Sequence, residues 1–155
     1  MTDGDETFEI EQATFASGCF WGAEAAFRAL PGVLDSRVGY AQATAAEPEA
    51  IEVVQIDFNP KIVSFDQMIE HFWKLHDPTS SDRQGTHVGV KYRSAVFYHS
   101  ARQATLALAA KQRLEAWGYF DKPVVTVILP LGNFELAHED HQRYLEKHGS
   151  SSCSI

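Results

Sequence analysis

Hydrophobic and polar residues alternate along several short segments of the chain and recur with helical spacing in others. The segment from Ile51 to Phe58 alternates with the period of a strand and is followed by an Asn-Pro pair that ends it. Shorter apolar runs predict further strands at 13–16, 33–40, 94–98 and 124–129. Five strands of ordinary length are therefore expected.

Helical patterns lie between these strands. The first predicted helix, 23–30, stops before a Pro-Gly pair. Helices are also predicted at 64–75 and 100–117, because each begins with a serine followed three residues later by a glutamine, which is the capping-box pattern. A last helix is predicted near 139–147.

The order of the first six elements is βαββαβ, which is typical of the ferredoxin-like arrangement. We therefore expect an α+β fold, a two-layer sandwich with helices packed on one mixed or antiparallel sheet and extended by the last strand and helix. One catalytic domain is expected over 1–155, with an acidic N-terminal arm at 1–12 and a flexible serine-rich tail at 149–155.

Charge and composition narrow the function classes. Thirteen basic against twenty-one acidic residues give a net charge of −8, which argues against nucleic acid and anionic membranes as partners. No apolar stretch approaches the ~18 residues of a membrane span, and the acidic N-terminus lacks a signal-peptide pattern, so we expect a cytoplasmic protein. We also expect a monomer. Two distant cysteines indicate a catalytic or transient role more than a disulfide scaffold.

Cys19 lies where the first strand gives way to the first helix, in the segment Gly18-Cys19-Phe20-Trp21-Gly22. The unpaired backbone N–H groups at a helix N-terminus favour a thiolate, which is the reactive form of cysteine. A buried structural cysteine is the alternative, because free cysteines are often buried. Position alone does not decide between them.

The pentapeptide resembles the signature of the A-type peptide methionine sulfoxide reductases, which act on the S epimer. Other matching segments, in family order, are Leu30-Pro31-Gly32-Val33, Val38-Gly39-Tyr40, Glu52-Val53-Val54, Phe72-Trp73, His76-Asp77-Pro78, Arg83-Gln84-Gly85, Tyr92-Arg93-Ser94-Ala95 and His141-Gln142-Arg143-Tyr144-Leu145. The resemblance covers Thr14 to Cys153, nearly the whole chain.

The resemblance implies that Cys19 is the nucleophile and that Phe20 and Trp21 form an apolar socket for the substrate methyl group. Glu52 corresponds to the family's acid, and burial beside the aromatic rings would raise its pKa and leave it able to donate a proton. Tyr92 matches a tyrosine that hydrogen-bonds the sulfoxide oxygen. The alternatives are core packing for the two rings, a solvent-facing Glu52 and a half-buried strand tyrosine.

Reduction of a sulfoxide would leave a sulfenic acid on Cys19, which a second thiol must clear. Cys153 stands where the family's resolving cysteine stands, and thioredoxin, or dithiothreitol in vitro, would reduce the resulting disulfide. An incidental tail cysteine is the alternative.

No bound cofactor is implied. His138, His141 and His148 lie near the C-terminus without a metal-binding spacing, so no metal is predicted.

Two departures from the family pattern stand out. The connection at 41–51 is shorter than usual and lacks a second oxygen-binding tyrosine, which predicts a more open pocket suited to unfolded substrates. The family's aspartate falls on His87, which we hypothesise compensates by sharing a proton with Glu52 or with the substrate oxygen. A loop histidine without a role is the alternative to this hypothesis.

Two other function classes remain open from the sequence. A protein of this fold that lacks the second tyrosine and the aspartate could bind oxidised methionine without reducing it. A different thiol enzyme, such as a cysteine peroxidase, is also compatible with Cys19. Oxidised methionine, in proteins or free, and thioredoxin are the partners that the leading interpretation implies.

Overall fold

The computed structural model describes residues 10–18, 20–43, 50–80, 83–84, 87–88, 93–118 and 120–144, with the backbone alone at 83–84 and 87–88. The strands are β1 (Glu11–Ser17), β2 (Val33–Gln42), β3 (Ile51–Phe58), β4 (Arg83–Gln84), β5 (His87–Val88), β6 (Ser94–Tyr98), β7 (Val127–Pro130) and β8 (Asn133–Leu136). The helices are α1 (Phe20–Arg28), α2 (Phe65–Trp73) and α3 (Ala101–Trp117), followed by a 3₁₀ turn at Glu139–His141.

Six strands form one sheet in the order β7-β6-β1-β3-β2-β8, while β4 and β5 pair only with each other. All neighbours in the large sheet are antiparallel except β6 and β7, which are parallel. The sheet is therefore mixed, and with three helices beside it the fold is α+β, as predicted. None of the described helices is long and apolar enough to cross a membrane.

The core lies between one face of this sheet and the three helices. Phe15 on β1 is at its centre, with its ring stacked on Phe27 of α1 at 5.1 Å and 5.1 Å from the ring of Phe72 on α2. Removing a phenylalanine of this kind costs about 3–5 kcal/mol. The opposite face is apolar as well, since Phe97 and its neighbours are covered by Leu131 and Phe134 near β7 and β8. Burial on both faces holds the sheet rigidly.

The C-terminal region differs from the prediction. The prediction of a helix near 139–147 is wrong for its first residues. Glu139–His141 form a 3₁₀ turn, the backbone of Gln142 is extended, and Arg143 has a φ of 50°. Residues 139–143 are held instead by contacts with distant parts of the chain. The strand expected at 124–129 is found at Val127–Pro130, and β8 was not predicted.

A serine caps the start of both α2 and α3. Ser64 and Gln67 form the reciprocal capping box at the start of α2, as predicted. At the start of α3 only half of the predicted box forms: Ser100 accepts from the Gln103 backbone N–H, but the Gln103 side-chain oxygen accepts from the His99 N–H. The backbone of β4 and β5, where no strand was predicted, forms a short antiparallel pair. The tail at 149–155 and the arm up to residue 9 lie outside the described residues.

His76 ties the end of α2 to β6. One ring nitrogen, Nδ1, lies 3.0 Å from the Phe72 carbonyl, and Nε2 lies 2.7 Å from Ser94 Oγ. A carbonyl only accepts, so Nδ1 carries the proton and Nε2 accepts from Ser94, whose oxygen in turn lies 2.6 Å from Thr126 Oγ1. Burial lowers the pKa of His76 to about 4, against smaller opposing effects of the Phe72 hydrogen bond and the Asp77 charge.

This neutral histidine predicts a specific loss of stability in acid. Because the pKa is about 4 in the folded protein and 6.5 for an unperturbed histidine, the contribution of His76 is complete above pH 6.5 and declines as the pH falls toward 4. The free energy of unfolding should fall by up to about 1.4 kcal/mol per pH unit in that window. Denaturant unfolding of His76→Gln should show a flatter pH dependence than the wild type.

The exposed His138 supplies the control, since His138→Gln should keep the wild-type slope. Burial also lowers the pKa of His99, so part of the slope persists in the His76 variant. An unchanged slope in His76→Gln would contradict the assignment of a buried neutral imidazole.

Candidate active site

A sharp turn joins β1 to α1. Gly18 has φ of 101°, in the region that favours glycine, and α1 begins at Phe20. Cys19 itself lies outside the described residues, but both of its chain neighbours are buried. The helix thus begins at the residue that follows Cys19, three residues earlier than predicted.

Glu52 lies beside the start of this helix. On β3 its side chain shares a face with Val54, Ile56 and Phe58, because alternate residues of a strand point the same way, and that face meets the helices. The residue is 7% exposed, and Oε1 accepts a hydrogen bond from the Phe20 backbone N–H at 3.4 Å. The alternative of a solvent-facing glutamate is therefore wrong, and the burial that the acid role requires is present.

Three aromatic side chains lie close together near the start of α1. Phe20 is 4% exposed, and its ring centroid lies 6.4 Å from that of Trp21 and 5.7 Å from that of Tyr40. Tyr40 is directly opposite Glu52 in the pairing of β2 with β3. Phe20 packs into the core, whereas Trp21 is half-buried and packs at its border. The two rings predicted to form a socket are therefore adjacent to each other, and the Phe20 ring lies beside Tyr40, the residue opposite Glu52.

The C-terminal segment completes this cluster. The Trp21 ring stacks on Tyr144 with centroids 3.8 Å apart and planes 10° from parallel, and His141 lies 5.7 Å away on the same indole. Trp21 Nε1 donates to His141 Nδ1 at 3.2 Å. Since an indole nitrogen only donates, Nδ1 of His141 must be unprotonated, which fixes the imidazole in the Nε2–H form.

Gln142 attaches the segment to the sheet. Its side-chain oxygen accepts from the Val38 backbone N–H at 2.8 Å, while Nε2 donates to the carbonyls of Val38 and Ala137, each at 3.0 Å. The side chain is 6% exposed and satisfies backbone groups at the end of the β2–β8 pairing. These bonds place His141 and Tyr144 against Trp21.

The structure brings together Phe20, Trp21 and Glu52 among the residues identified from the sequence. Cys19, Tyr92 and Cys153 lie outside the described residues, and only the backbone of His87 is described, paired with Gln84. Their roles stay predictions. Sequence reasoning missed Tyr40, His141 and Tyr144 as members of the site, although all three fall within segments that match the family pattern.

A metal centre is not assembled by the described part of the chain, where no group of three or more His, Cys, Asp and Glu side chains could hold an ion. Of the histidines noted near the C-terminus, His141 is bonded to Trp21 and His138 is exposed. His148 lies outside the described residues.

A buried glutamate and a cluster of aromatic rings, at a helix start directly after a cysteine, are typical of a thiol-dependent enzyme. The chain belongs to the peptide methionine sulfoxide reductase family, whose model matches residues 11–155. Curated relatives carry the name peptide methionine sulfoxide reductase MsrA. That from Methanosarcina mazei is 47% identical over 90% of this chain and 71% of its own length, and that from Acidobacterium capsulatum is 47% identical over 94% and 100%.

Solved structures agree with the sequence relatives. Mxr1 from Saccharomyces cerevisiae in reduced form has a TM-score of 0.82 at 31% identity and covers 96% of this chain and 93% of its own. Methionine sulfoxide reductase A of Corynebacterium diphtheriae has a TM-score of 0.76 at 30% identity, covering 93% and 77%. Mxr1 in complex with Trx2 has a TM-score of 0.66 at 32% identity, covering 88% and 86%.

The Trp21–His141 bond predicts a measurable change in the indole group. His141→Phe keeps a ring beside Trp21 but removes the acceptor, so the Trp21 indole proton should exchange with solvent faster and shift in the NMR spectrum. Gln112→Phe, at an exposed site on α3, is the control and should leave that proton unchanged. Identical exchange in wild type and His141→Phe would exclude the hydrogen bond.

Proposed function

We propose that this protein reduces methionine (S)-sulfoxide, in peptides or as the free amino acid, to methionine with electrons from thiols. Family membership and the names of the relatives support the reaction. The observation that carries the proposal for this chain is the buried Glu52 carboxyl at the N–H of Phe20, the residue whose ring packs on Trp21. It puts an acid and an apolar socket next to position 19.

In the proposed first step the Cys19 thiolate attacks the sulfoxide sulfur and Glu52 protonates the sulfoxide oxygen. Thiolate, carboxylic acid and sulfoxide become cysteine sulfenic acid, carboxylate and methionine, so the oxygen moves to Cys19 and the proton moves with it. A thiolate and a carboxylate side by side would repel, so one proton is expected to stay with the pair. Burial of Glu52 favours keeping this proton on the carboxyl.

Tyr92 and His87 have proposed roles at the substrate oxygen. The Tyr92 hydroxyl would donate a hydrogen bond to it, and His87 would replace the family's aspartate as the residue that shares a proton with Glu52. The family's second tyrosine has no counterpart here, and loss of one such donor can cost about 3 kcal/mol of transition-state stabilisation. A shortened β2–β3 connection would leave the pocket open to sulfoxides in unfolded chains.

The proposed second step forms the Cys19–Cys153 disulfide from the sulfenic acid, with release of water. Trp21 is two residues after Cys19 in the sequence, and Tyr144 stacks on its ring. Cys153 follows Tyr144 by nine residues, and a fully extended chain of nine residues can span about 30 Å. The chain is therefore long enough to return to the site. The complex of Mxr1 with Trx2 supports thioredoxin as the reductant of this disulfide.

Two broader inferences accompany the mechanism. The ferredoxin-like interpretation is supported for the central strands, whose order β6-β1-β3-β2 is that of an antiparallel βαββαβ unit. The enzyme is proposed to act as a cytoplasmic monomer with one catalytic domain and no bound cofactor, which size-exclusion chromatography and metal analysis of the purified protein would test.

A racemic sulfoxide with dithiothreitol tests the function directly. We expect conversion to stop at half, leaving the R epimer, for a peptide substrate and for free methionine sulfoxide, with the peptide turned over at least as well. Cys19→Ser should be inactive, and Cys153→Ser should form methionine once but fail to turn over with thioredoxin. No methionine from the wild type would indicate a binding protein, and peroxide consumption alone would indicate a peroxidase.

The acid role of Glu52 predicts a large effect from a small change. Glu52→Gln keeps an oxygen to accept from the Phe20 N–H but cannot transfer a proton, so kcat should fall by about 10²–10⁴. Glu115→Gln, at an exposed position on α3, is the control and should match the wild type. In the same assay, an unchanged pH profile and rate in His87→Ala would rule out compensation by that histidine.

A further inference from the structure

Glu24 is a buried carboxylate that the proposed chemistry does not use. It lies on the inner face of α1 between Phe20 and Phe27, at the helical spacing where an apolar residue is expected, and it is 1% exposed. A buried carboxylate is costly unless its oxygens are hydrogen-bonded, so its partners indicate what it is for.

One oxygen of Glu24 is held by β2. Ser36 Oγ donates to Oε2 at 2.6 Å, and Arg28 Nη1 donates to the same serine oxygen at 3.0 Å. Arg28 also lies 3.6 Å from Asp35. The carboxylate is thereby tied to the helix that carries it and to the neighbouring strand, so its position is well defined.

The other oxygen reaches the C-terminal segment. Oε1 accepts from the Arg143 backbone N–H at 2.6 Å, across 119 positions of sequence. Arg143 has φ of 50°, an uncommon conformation for a residue other than glycine. A charge-assisted hydrogen bond is about twice as strong as a neutral one, and here it holds the chain in a turn that the residue alone would not favour.

Tyr144 is the residue after this turn, and its ring stacks on Trp21. Cys153 lies nine residues further along the chain. We propose that Glu24 is a positioning residue for the resolving step: by holding the Arg143 backbone it sets the point from which the Cys153 segment starts, next to Cys19. The inference rests on the proposed function, in which Cys153 converts the Cys19 sulfenic acid to a disulfide with release of water.

The physical effect of the anchor is on effective concentration. A linker of nine residues with the reach of a flexible chain would extend about 15–18 Å on average, so a start beside Trp21 would keep the second thiol close to the first. Without the Glu24 bond, the turn at Arg143 and the Tyr144 stack lose support, and the tail begins farther back with less defined direction. Sulfoxide reduction needs no tail and involves this anchor only through the Trp21 face that Tyr144 covers, so it should be slowed far less than disulfide formation.

The test separates the two half-reactions in a single turnover of the full chain without reductant. Methionine formation is followed by rapid quench, and disulfide formation by mass spectrometry of the peptide linking Cys19 to Cys153, with dimedone trapping the sulfenic acid between them. Glu24→Ala should form methionine within twofold of the wild-type rate and form the disulfide roughly tenfold more slowly. Dimedone-labelled Cys19 should accumulate accordingly.

Two variants distinguish positioning from a general loss of stability. Glu24→Gln keeps an acceptor oxygen for the Arg143 N–H and should recover most of the disulfide rate. Ser36→Ala removes the other partner of Glu24 but leaves the Arg143 bond, so it should lower the melting temperature while keeping the wild-type ratio of the two rates. If Glu24→Ala does not fold, Glu24→Gln carries the test and should show a smaller selective slowing, of about two- to threefold.

The outcomes separate the two proposals. If the wild type makes methionine and the linked peptide, but no Glu24 variant changes the ratio of the two rates, the positioning role is wrong and the proposed function stands. The positioning role is equally wrong if Ser36→Ala changes that ratio as much as Glu24→Ala does. If the wild type makes no methionine or no linked peptide, the proposed function fails first.

Discussion

The hydrogen bond from the Phe20 N–H to Glu52 is the contact on which the site depends. It joins the first residue of α1 to the second residue of β3, and it exists because the alternation of β3 turns Glu52 toward the helices. Gly18 makes the approach possible by turning the chain sharply after β1. The Phe20 N–H is one of the backbone donors that a helix start leaves unpaired, so the contact satisfies this donor and also holds the carboxyl in place.

Some elements could be predicted from the sequence because local signals were sufficient. The strand at Ile51–Phe58 has the predicted boundaries, since strict alternation defines it and an Asn-Pro pair follows it. The start of α1 was placed too late. Phe20, Trp21 and Gly22 are poor or moderate helix formers, and it is packing against Tyr40 and the bond to Glu52 that makes the helix begin at Phe20.

The C-terminal segment shows where sequence reasoning ends. The pattern near 139–147 favours a helix, but Gln142 bonds to Val38 across 104 positions and Arg143 bonds to Glu24 across 119. Contacts so distant in sequence leave no local signal, so the 3₁₀ turn and the place of Tyr144 in the site were not predictable. Glu52 was identified only through the resemblance, because a glutamate that begins a strand is usually exposed.

The Trp21–Tyr144 stack has a consequence for how substrate and reductant affect each other. The same indole belongs to the proposed socket and stacks on Tyr144, so displacing Tyr144 alters the surface that a bound methyl group would touch. Thermodynamic linkage makes such coupling reciprocal. A ligand in the proposed socket that favours one arrangement of the tail is bound more tightly when the tail has that arrangement. In the proposed mechanism, substrate release and presentation of the disulfide to its reductant are then two readouts of a single local equilibrium.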